Sequence, residues 1–576
     1  VKRIIRVNTR TGEVIQTAPT EEDLKWGGRG FIARTLLNEV PPTCEPLGRY
    51  NKLIISLGLF ADTNLSTAGR LSIGGKSPLT GGVKECNVGG NAGKRLGRIG
   101  VKALILEDIP EKDTTRILYV SADEVKLIDA PHLKGKLVDE TFEELRKEFG
   151  ERKGFICIGP AGEMKLYAAG IALTDDRGEQ VRYAARGGLG AVMGSKGIKA
   201  IVIDDSKTVE PDYYDAELLN STVKEVVKIL QEDPKSQNRR KYGTLDILEL
   251  ANQAGLLPTR NFSSGQFELA ANFSGPRVAD VIKERGGCGK SGTACVPGCT
   301  IMCSNVFPDK EGKKIVASLQ YESVVLLGPN CGIGDLDDVA ELNHLCNQVG
   351  VDTIECGAAI GVAMEAGVIN FGDAEGAKDI VKQIGQGTYL GRIIGNGAEF
   401  TGRAFGVRRV PAVKGQAMPA YDPRGLKGNG VLYATSTMGA DHTAGNAFET
   451  LKTVNPLGKE KQVYNSRQLQ IRAALIDSLG VCLFIRPAFI KNRELLSNLY
   501  KGRYGFDMSF EEIKRTGVEV LEMERRFNEL AGVSEKIKRM PEFMREEPLP
   551  PNNTVFDISQ EELEEIWNIE MNPETF

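Results

Sequence analysis

The densest group of reactive side chains in the 576-residue sequence is Cys288-Gly-Lys-Ser-Gly-Thr-Ala-Cys295-Val-Pro-Gly-Cys299-Thr-Ile-Met-Cys303. Cys295, Cys299 and Cys303 recur at intervals of four, so a turn or short helix can bring three thiolates to one side. An iron–sulfur cube takes four thiolates in all. The fourth comes from Cys288 close by or from a distant residue such as Cys482 in Asp477-Ser-Leu-Gly480-Val-Cys482. Four soft ligands also suit tetrahedral zinc, and a set of merely buried thiols is the bland alternative; spacing alone does not choose among them. Disulfides are the poorer reading, because a chain of this length builds its core without staples.

Glycine supplies 66 residues, and several glycine-rich stretches carry one or two polar groups: Thr67-Ala-Gly-Arg70, Lys76-Ser-Pro-Leu-Thr-Gly81, Asn87-Val-Gly89-Gly90-Asn91 and Arg186-Gly187-Gly188-Leu-Gly190. Successive glycines let the backbone approach phosphates or a flat heterocycle, and arginine adds a planar fork for charge. Any one of them, taken singly, reads better as an ordinary hairpin turn. Two nucleotide motifs fail. Gly28-Arg29-Gly30-Phe31-Ile32-Ala33 follows no buried strand and reads as a turn opening a helix, and Gly74-Gly75-Lys76-Ser77 lacks the first P-loop glycine, because position 70 is Arg70. The only histidines are His132, His344 and His442, which excludes multi-histidine zinc hydrolases.

These groups must be positioned by two kinds of element. Residues 1 to 205 hold short apolar runs such as Leu53–Leu57, Ala103–Leu106, Phe155–Ile158 and Ala200–Ile203, separated by glycine-rich turns, and read as a β-rich domain. From 206 onward apolar residues recur at three and four, giving helices over 215–232, 245–254, 467–478 and 510–530. Asp335 can cap a helix over 336–349, and Thr353 the next, which Gly367 stops. The expected fold class is α+β: a β-rich base domain (1–205), a helical domain with the cysteine triplet (206–415) and a helical domain with Asp477 to Cys482 (416–576). Four prolines beyond residue 540 suggest an extended tail. Lys plus Arg is 73 against 77 Asp plus Glu, so no basic excess argues for nucleic acid. No run approaches the roughly 18 apolar residues of a membrane helix, and the first residues lack a signal peptide's apolar core. A cytoplasmic protein without membrane association is expected.

At these residues the chain resembles the aldehyde ferredoxin oxidoreductase family of tungsten enzymes over nearly its whole length. The likeness rests on Gly27-Gly-Arg-Gly-Phe-Ile-Ala-Arg-Thr-Leu-Leu, Lys76-Ser-Pro-Leu-Thr-Gly81, Ile158-Gly-Pro-Ala-Gly-Glu163, Gly190-Ala-Val-Met-Gly-Ser-Lys-Gly-Ile-Lys-Ala200 and Tyr421-Asp-Pro-Arg-Gly425, in the family's order. It implies a β-rich base followed by two mainly helical domains, a tungsten atom on two pterins, and a nearby [4Fe–4S] cluster. Its cluster ligands would be Cys295, Cys299, Cys303 and Cys482, with Cys288 spare. The family triplet has two residues and then three between cysteines, whereas both gaps here are three.

The resemblance also implies site residues. Arg70, Asn87, Gly89, Arg186 and Gly187 match positions that contact the pterin phosphates or their bridging magnesium. Asp477, Gly480 and Val481 belong to one pterin-edge motif and Asn347, Gly350, Val351 and Asp352 to its sister, where Asn347 replaces the usual aspartate and so can also donate a hydrogen bond. Glu322 and His442 match the acid and histidine beside the metal, for proton handling and for a hydrogen bond to the carbonyl oxygen. Glu341 and His344 resemble a motif for a metal between two subunits, which would make a homodimer. The implied reaction is oxidation of a small aldehyde, with ferredoxin or an iron–sulfur partner subunit as acceptor. Two rivals are a catalytic subunit like that of class II benzoyl-coenzyme A reductase, and a non-catalytic zinc or iron–sulfur scaffold.

Overall fold

The computed structural model describes residues 2–175, 181–533 and 540–576. Its N-terminal part folds as two six-stranded sheets. The first holds β1 (Arg3–Asn8), β2 (Val14–Thr17), β3 (Leu53–Leu57), β4 (Leu71–Lys76), β5 (Val83–Val88) and β6 (Val101–Glu107) in the order β2-β1-β6-β3-β4-β5. The second holds β7 (Arg116–Ser121), β8 (Val125–Asp129), β9 (Gly154–Cys157), β10 (Ile171–Thr174), β11 (Val181–Ala184) and β12 (Ile198–Asp204) in the order β11-β10-β9-β12-β7-β8. Read from the opposite edge, the second order is the first with six added to each strand. The parallel pairs correspond as well: β1 with β6, and β7 with β12, all other neighbours being antiparallel. The base is thus one topology used twice.

Alternation along the strands explains the stacking. Ile5, Val7, Leu104 and Leu106 of the first sheet share a core with Leu118, Val120, Ile201 and Ile203 of the second. The intervening residues point outward: Ile4, Ala103 and Ile105 pack beneath Phe31, Ile32 and Leu36 of the helix Gly28–Glu39. Ile117, Ala200 and Val202 pack beneath Val138, Phe142 and Leu145 of the helix Val138–Phe149. Strands covered on both faces must read as continuous apolar runs, as 200–203 does. The helix Gly28–Glu39 also confirms that the dinucleotide-like motif is a helix start.

The remainder is mainly helical, in keeping with the α+β expectation. Asp215 and Asp335 cap the helices Ala216–Glu232 and Leu336–Val349. The helix Thr353–Glu365 is capped by Asp352 rather than Thr353: the Asp352 carboxylate accepts from both Ile354 N (3.0 Å) and Glu355 N (3.2 Å), two bonds where a hydroxyl at the next position would make one. The segment after 540 is not an extended tail. It carries the helices Glu542–Glu546 and Gln560–Glu564 and buries Leu549, Phe556 and Ile558, whose apolar side chains outweigh the prolines' bias. Among the described residues no single helix is long and apolar enough to cross a membrane.

Candidate active site

The thiol loop, 294–303, joins the strands Lys290–Thr293 and Ser304–Pro308. It sits on the end of β5, where Gly90 N donates to Cys295 O (2.8 Å) and a Cβ on Gly89 would lie 3.4 Å from Cys295 Sγ and 3.0 Å from its carbonyl oxygen. Cys482 follows the helix Gln462–Leu479; its amide donates to Thr67 Oγ1 (3.1 Å), and its sulfur accepts from Phe484 N (3.5 Å). A hydrogen bond from Cys299 holds the Cys295 thiol well below its usual range against burial, with Arg182 and Arg70 assisting. Burial and the neighbouring Cys295 push Cys303 up to about 12. Burial also raises Cys482, opposed by Arg70. Among the described residues no group of three or more Cys, His, Asp or Glu side chains is placed to hold a single metal ion. Cys288, just before the strand Lys290–Thr293, is exposed and donates its amide to Gly312 O (2.9 Å).

The two sister motifs dock on the base in the same manner, one on each sheet. Gly58, just past β3, packs against Gly480 so closely that a Cβ on Gly58 would lie 2.0 Å from Gly480 Cα. Leu59 N and Phe60 N then donate to Ser478 O (3.1 Å) and Leu479 O (2.9 Å). Gly159, just past β9, meets Gly350, and a Cβ on it would lie 2.4 Å from Val349 O. Gly170 N donates to Gly350 O (3.0 Å), Asp352 N donates to Ala168 O (2.9 Å), and Val351 bridges to Ala169. Gly480 (φ +76°) and Gly350 (φ +80°) are both left-handed helix ends, where glycine is favoured. The Asn347 carbonyl accepts from Tyr183, and its side-chain oxygen lies 3.4 Å from Asn343 Nδ2.

Arg70 ties one motif to the thiols. It donates to the side-chain oxygen of Asn87, to Asn87 O (2.8 Å) and toward Cys295 Sγ (3.7 Å), while Asn87 Nδ2 donates to Asp477 Oδ1 (3.1 Å) and Val481 O (3.3 Å). Arg186 serves the other motif. It donates to Asp352 Oδ2 (3.2 Å), Ala440 O (2.6 Å) and Ala417 O (2.6 Å), so it is a strut between the Asp352 cap and the loop carrying His442. The Gly187 carbonyl accepts from Ser77 Oγ (2.7 Å).

The structure brings Glu322 and His442 together. Glu322 lies in the first turn of the helix Tyr321–Leu327, and its Oε2 accepts from Ala420 N (2.8 Å). Glu322 Oε1 stands 3.5 Å from His442 Nε2, and neither Glu322 Oε1 nor His442 Nδ1 has a hydrogen-bond partner. Burial raises the Glu322 carboxyl, only partly offset by His442. Such a carboxyl holds a proton more readily than an exposed one. Beneath the pair, Lys84 is fully buried and donates to Asp441, the residue before His442. Burial opposes the charge on Asp441, but Lys84 and Arg186 outweigh it and hold the carboxyl far below its usual range.

Glu341 and His344 are not joined in the same way. Glu341 Oε2 lies 2.6 Å from Lys378 Nζ, which also holds Asp338 and Glu375 (2.8 Å each). Burial keeps His344 below its usual range and hence neutral.

Comparison with known proteins now adds the family. The profile described as "Aldehyde ferredoxin oxidoreductase, N-terminal domain" matches residues 4–205, and that described as "domains 2 & 3" matches 221–568. The chain belongs to the aldehyde ferredoxin oxidoreductase family. It is 34% identical over 578 residues to the tungsten-containing aldehyde ferredoxin oxidoreductase of Pyrococcus furiosus, covering 95% of this chain and 92% of that one. The enzyme of the same name from Thermococcus kodakarensis is 34% identical over 575 residues, again with 95% and 92% covered. The aliphatic sulfonate oxidoreductase WOR-like subunit of Pyrococcus furiosus is 25% identical, covering 91% of this chain and 85% of that one. In fold, the chain matches the active-site complex BamBC of benzoyl coenzyme A reductase with a TM-score of 0.80 at 19% identity, over 98% of this chain and 93% of that one. Membership makes the chain an oxidoreductase.

The residues present fit the family's groups. Four free thiols beside Arg70, and a part-buried acid and histidine each with a buried, unpartnered polar atom, are donors of the kinds such groups take. Sequence reasoning missed the buried charges that support them. Arg29, inside the failed dinucleotide motif, forks onto Glu524 (2.8 and 2.9 Å) and reaches Asp477 Oδ2 (3.3 Å). Glu85 is buried with Oε1 unpartnered, and burial together with Asp477 raises it to about 8. Nothing in their local pattern separates Lys84 and Glu85 from surface charges.

Proposed function

We propose that this protein oxidises a small aldehyde to its carboxylic acid on a tungsten bis-pterin, with electrons leaving through a [4Fe–4S] cluster to ferredoxin or an iron–sulfur partner subunit. The observation that carries this is Arg70, whose guanidinium touches both Cys295 and Asn87, the partner of Asp477 and Val481. One arginine thereby holds the thiol set beside a pterin-edge motif, where the residues present would bring a cluster and a pterin close together.

Arg70, Asn87, Gly89, Arg186 and Gly187 on the two halves of the base would hold the pterin phosphates and their magnesium. Asn347 to Asp352, and Asp477, Gly480 and Val481, would meet the pterin edges. When bound, the tungsten bis-pterin supplies a two-electron acceptor for the aldehyde carbon. His442 donates a hydrogen bond from Nε2 to the carbonyl oxygen and stabilises the negative charge that develops there. Glu322 Oε1, next to it, takes a proton from the water that adds to the carbon. The Lys84–Asp441 pair and the Arg186 strut fix the loop that presents His442. Aldehyde and water become acid, two protons and two electrons.

Anaerobically purified protein should contain tungsten, iron and pterin and reduce a viologen with aliphatic or aromatic aldehydes. Protein without tungsten or pterin overturns the proposal.

A further inference from the structure

The surface beside the thiols differs in charge from the whole chain. The chain's net charge is −4, yet Lys235, Arg239, Arg240 and Lys241 lie along the helix Pro234–Tyr242, Lys290 lies on the thiol hairpin, and Arg486 and Lys491 lie on the helix Arg486–Lys491. A cleft of about 510 Å³ separates the two helices, with Lys235, Arg239, Arg486, Ile490 and Lys491 on its walls. The acids beside it are largely engaged. Asp233 Oδ2 accepts from Ser236 N (2.7 Å), and Glu449 is bound by Arg472 and by Arg486 (2.9 Å). Glu232 lies 3.9 Å from Lys491. Lys235 and Lys241 have no ion-pair partner among the described residues, and Ile490 is 58% exposed.

The same face leads directly to sulfur. The Arg239 guanidinium sits 4.0 Å from the centre of the Phe484 ring, with Arg486 at 6.0 Å, and Phe484 N donates to Cys482 Sγ (3.5 Å). Arg240 donates to Thr300 O (2.5 Å) in the thiol loop, whose Gly298 is exposed with open space beside it. Between this face and the Cys482 sulfur stand the Arg239 guanidinium and the part-exposed Phe484 beneath it.

We infer that this face, from Lys235 and Lys241 across the cleft to Lys491, is the docking site of a small acidic iron–sulfur electron carrier, whose carboxylates meet the lysines while its redox centre lies over Phe484 and Gly298. The inference rests on the proposed exit of electrons through the thiol set. Each encounter moves one electron to an oxidised carrier, which leaves reduced, so two encounters discharge one aldehyde oxidation. Opposite charge on the two faces speeds encounter and aligns the partner.

The test uses the holoprotein and an acidic [4Fe–4S] ferredoxin. The variant Lys235→Glu/Lys241→Glu/Lys491→Glu should raise KM for ferredoxin about 10-fold and flatten its dependence on salt. Aldehyde-driven viologen reduction should be unchanged, and Lys126→Glu, on β8, should alter neither. An unchanged ferredoxin KM and salt dependence overturns the docking site. Carbodiimide cross-linking to oxidised ferredoxin checks docking without turnover. Cross-links at Lys235, Lys241 or Lys491 support it, and cross-links confined to other faces, or none, overturn it. Absence of aldehyde–viologen activity would count against the proposed reaction alone, because the cross-linking still decides the docking face.

Discussion

His442 Nε2 lies 3.5 Å from Glu322 Oε1, across more than a hundred residues of sequence, and both side chains keep an unpartnered polar atom. Burying an acceptor and a ring nitrogen without partners is costly, and it leaves Glu322 Oε1, next to His442 Nε2, free to act on a bound molecule. Removing a donor aimed at a developing oxyanion typically slows turnover by about 100- to 1,000-fold. His442→Ala should fall in that range, and Glu322→Gln should lose on the order of 100-fold as a proton acceptor. Both should retain tungsten and iron, since neither residue is a proposed ligand. Aldehyde turnover near the parent rate, with metal content confirmed, removes the pair from catalysis.

The thiols offer a separate check. Cys482 is half-buried among Arg70, Cys295 and Phe484, whereas Cys288 is exposed just before the strand Lys290–Thr293. Cys482→Ser should lose or convert the cluster and stop electron exit, and Cys288→Ser should be close to parent in iron content and paramagnetic resonance. The reverse pattern would hand the fourth position to Cys288.

Lys84 and Asp441 form a fully buried ion pair beneath His442. Removing one member of such a pair typically costs about 3–5 kcal/mol, because the other charge is stranded. Lys84→Met should therefore lower the thermal midpoint and slow aldehyde turnover together. The double variant Lys84→Met/Asp441→Asn should lose less stability than the two single losses added. Strict additivity would show that the pair is not coupled.

What the sequence made legible follows the range of the interactions. The cysteine intervals, the helix caps and the strand runs are local patterns, and they place the thiol set, Asp335 and the base. Glu322 and His442 carry no pattern of their own and were reached through resemblance. The duplicated topology leaves only a short trace in the letters, Gly97-Arg-Ile-Gly-Val-Lys-Ala103 entering β6 against Gly194-Ser-Lys-Gly-Ile-Lys-Ala200 entering β12, since backbone pairing and an apolar alternation are all the other strands need. Buried charges were the blind spot. Arg29 meets Glu524 495 positions away, so nothing near Arg29 marks it as paired rather than exposed. Thr353 would cap equally well by residue type, and only the two amides pointing at Asp352 place the cap one residue earlier.

Lys102 gives a pH test that needs no cofactor. Its ammonium lies between Trp26 O (2.6 Å) and the Phe31 ring, and burial lowers its pKa from 10.5 to about 7. Below pH 7 folded and unfolded chains both carry the proton, and the folded chain pays for a buried charge. Between pH 7 and the unfolded value near 10.4 the unfolded chain binds more protons, so stability rises with pH, by up to about 1.4 kcal/mol per unit. Lys102→Met should match or exceed the parent in thermal midpoint at pH 6.5 and lose that advantage by pH 9. A difference that stays constant across that interval refutes the buried, titrating lysine.

The contact between Gly58 and Gly480 joins the first sheet to the turn that presents Cys482, and its two physical demands can be separated. Gly480 needs both a left-handed backbone (φ +76°) and the absence of a side chain, since a Cβ there would lie 2.6 Å from Gly58 Cα. Gly58 is outside the left-handed region, so Gly58→Ala adds only the clash, 2.0 Å from Gly480 Cα. Gly12 has φ +78° with nothing within 4 Å, so Gly12→Ala adds only the backbone strain of about 1–2 kcal/mol. If close approach is what seats Cys482 against Thr67 and Arg70, iron content should drop in Gly58→Ala and Gly480→Ala and stay at the parent level in Gly12→Ala. Gly480→Ala, bearing both penalties, should have the lowest thermal midpoint of the three. Full iron content in Gly58→Ala would show that the sheet and the turn can separate without loss of the thiol site.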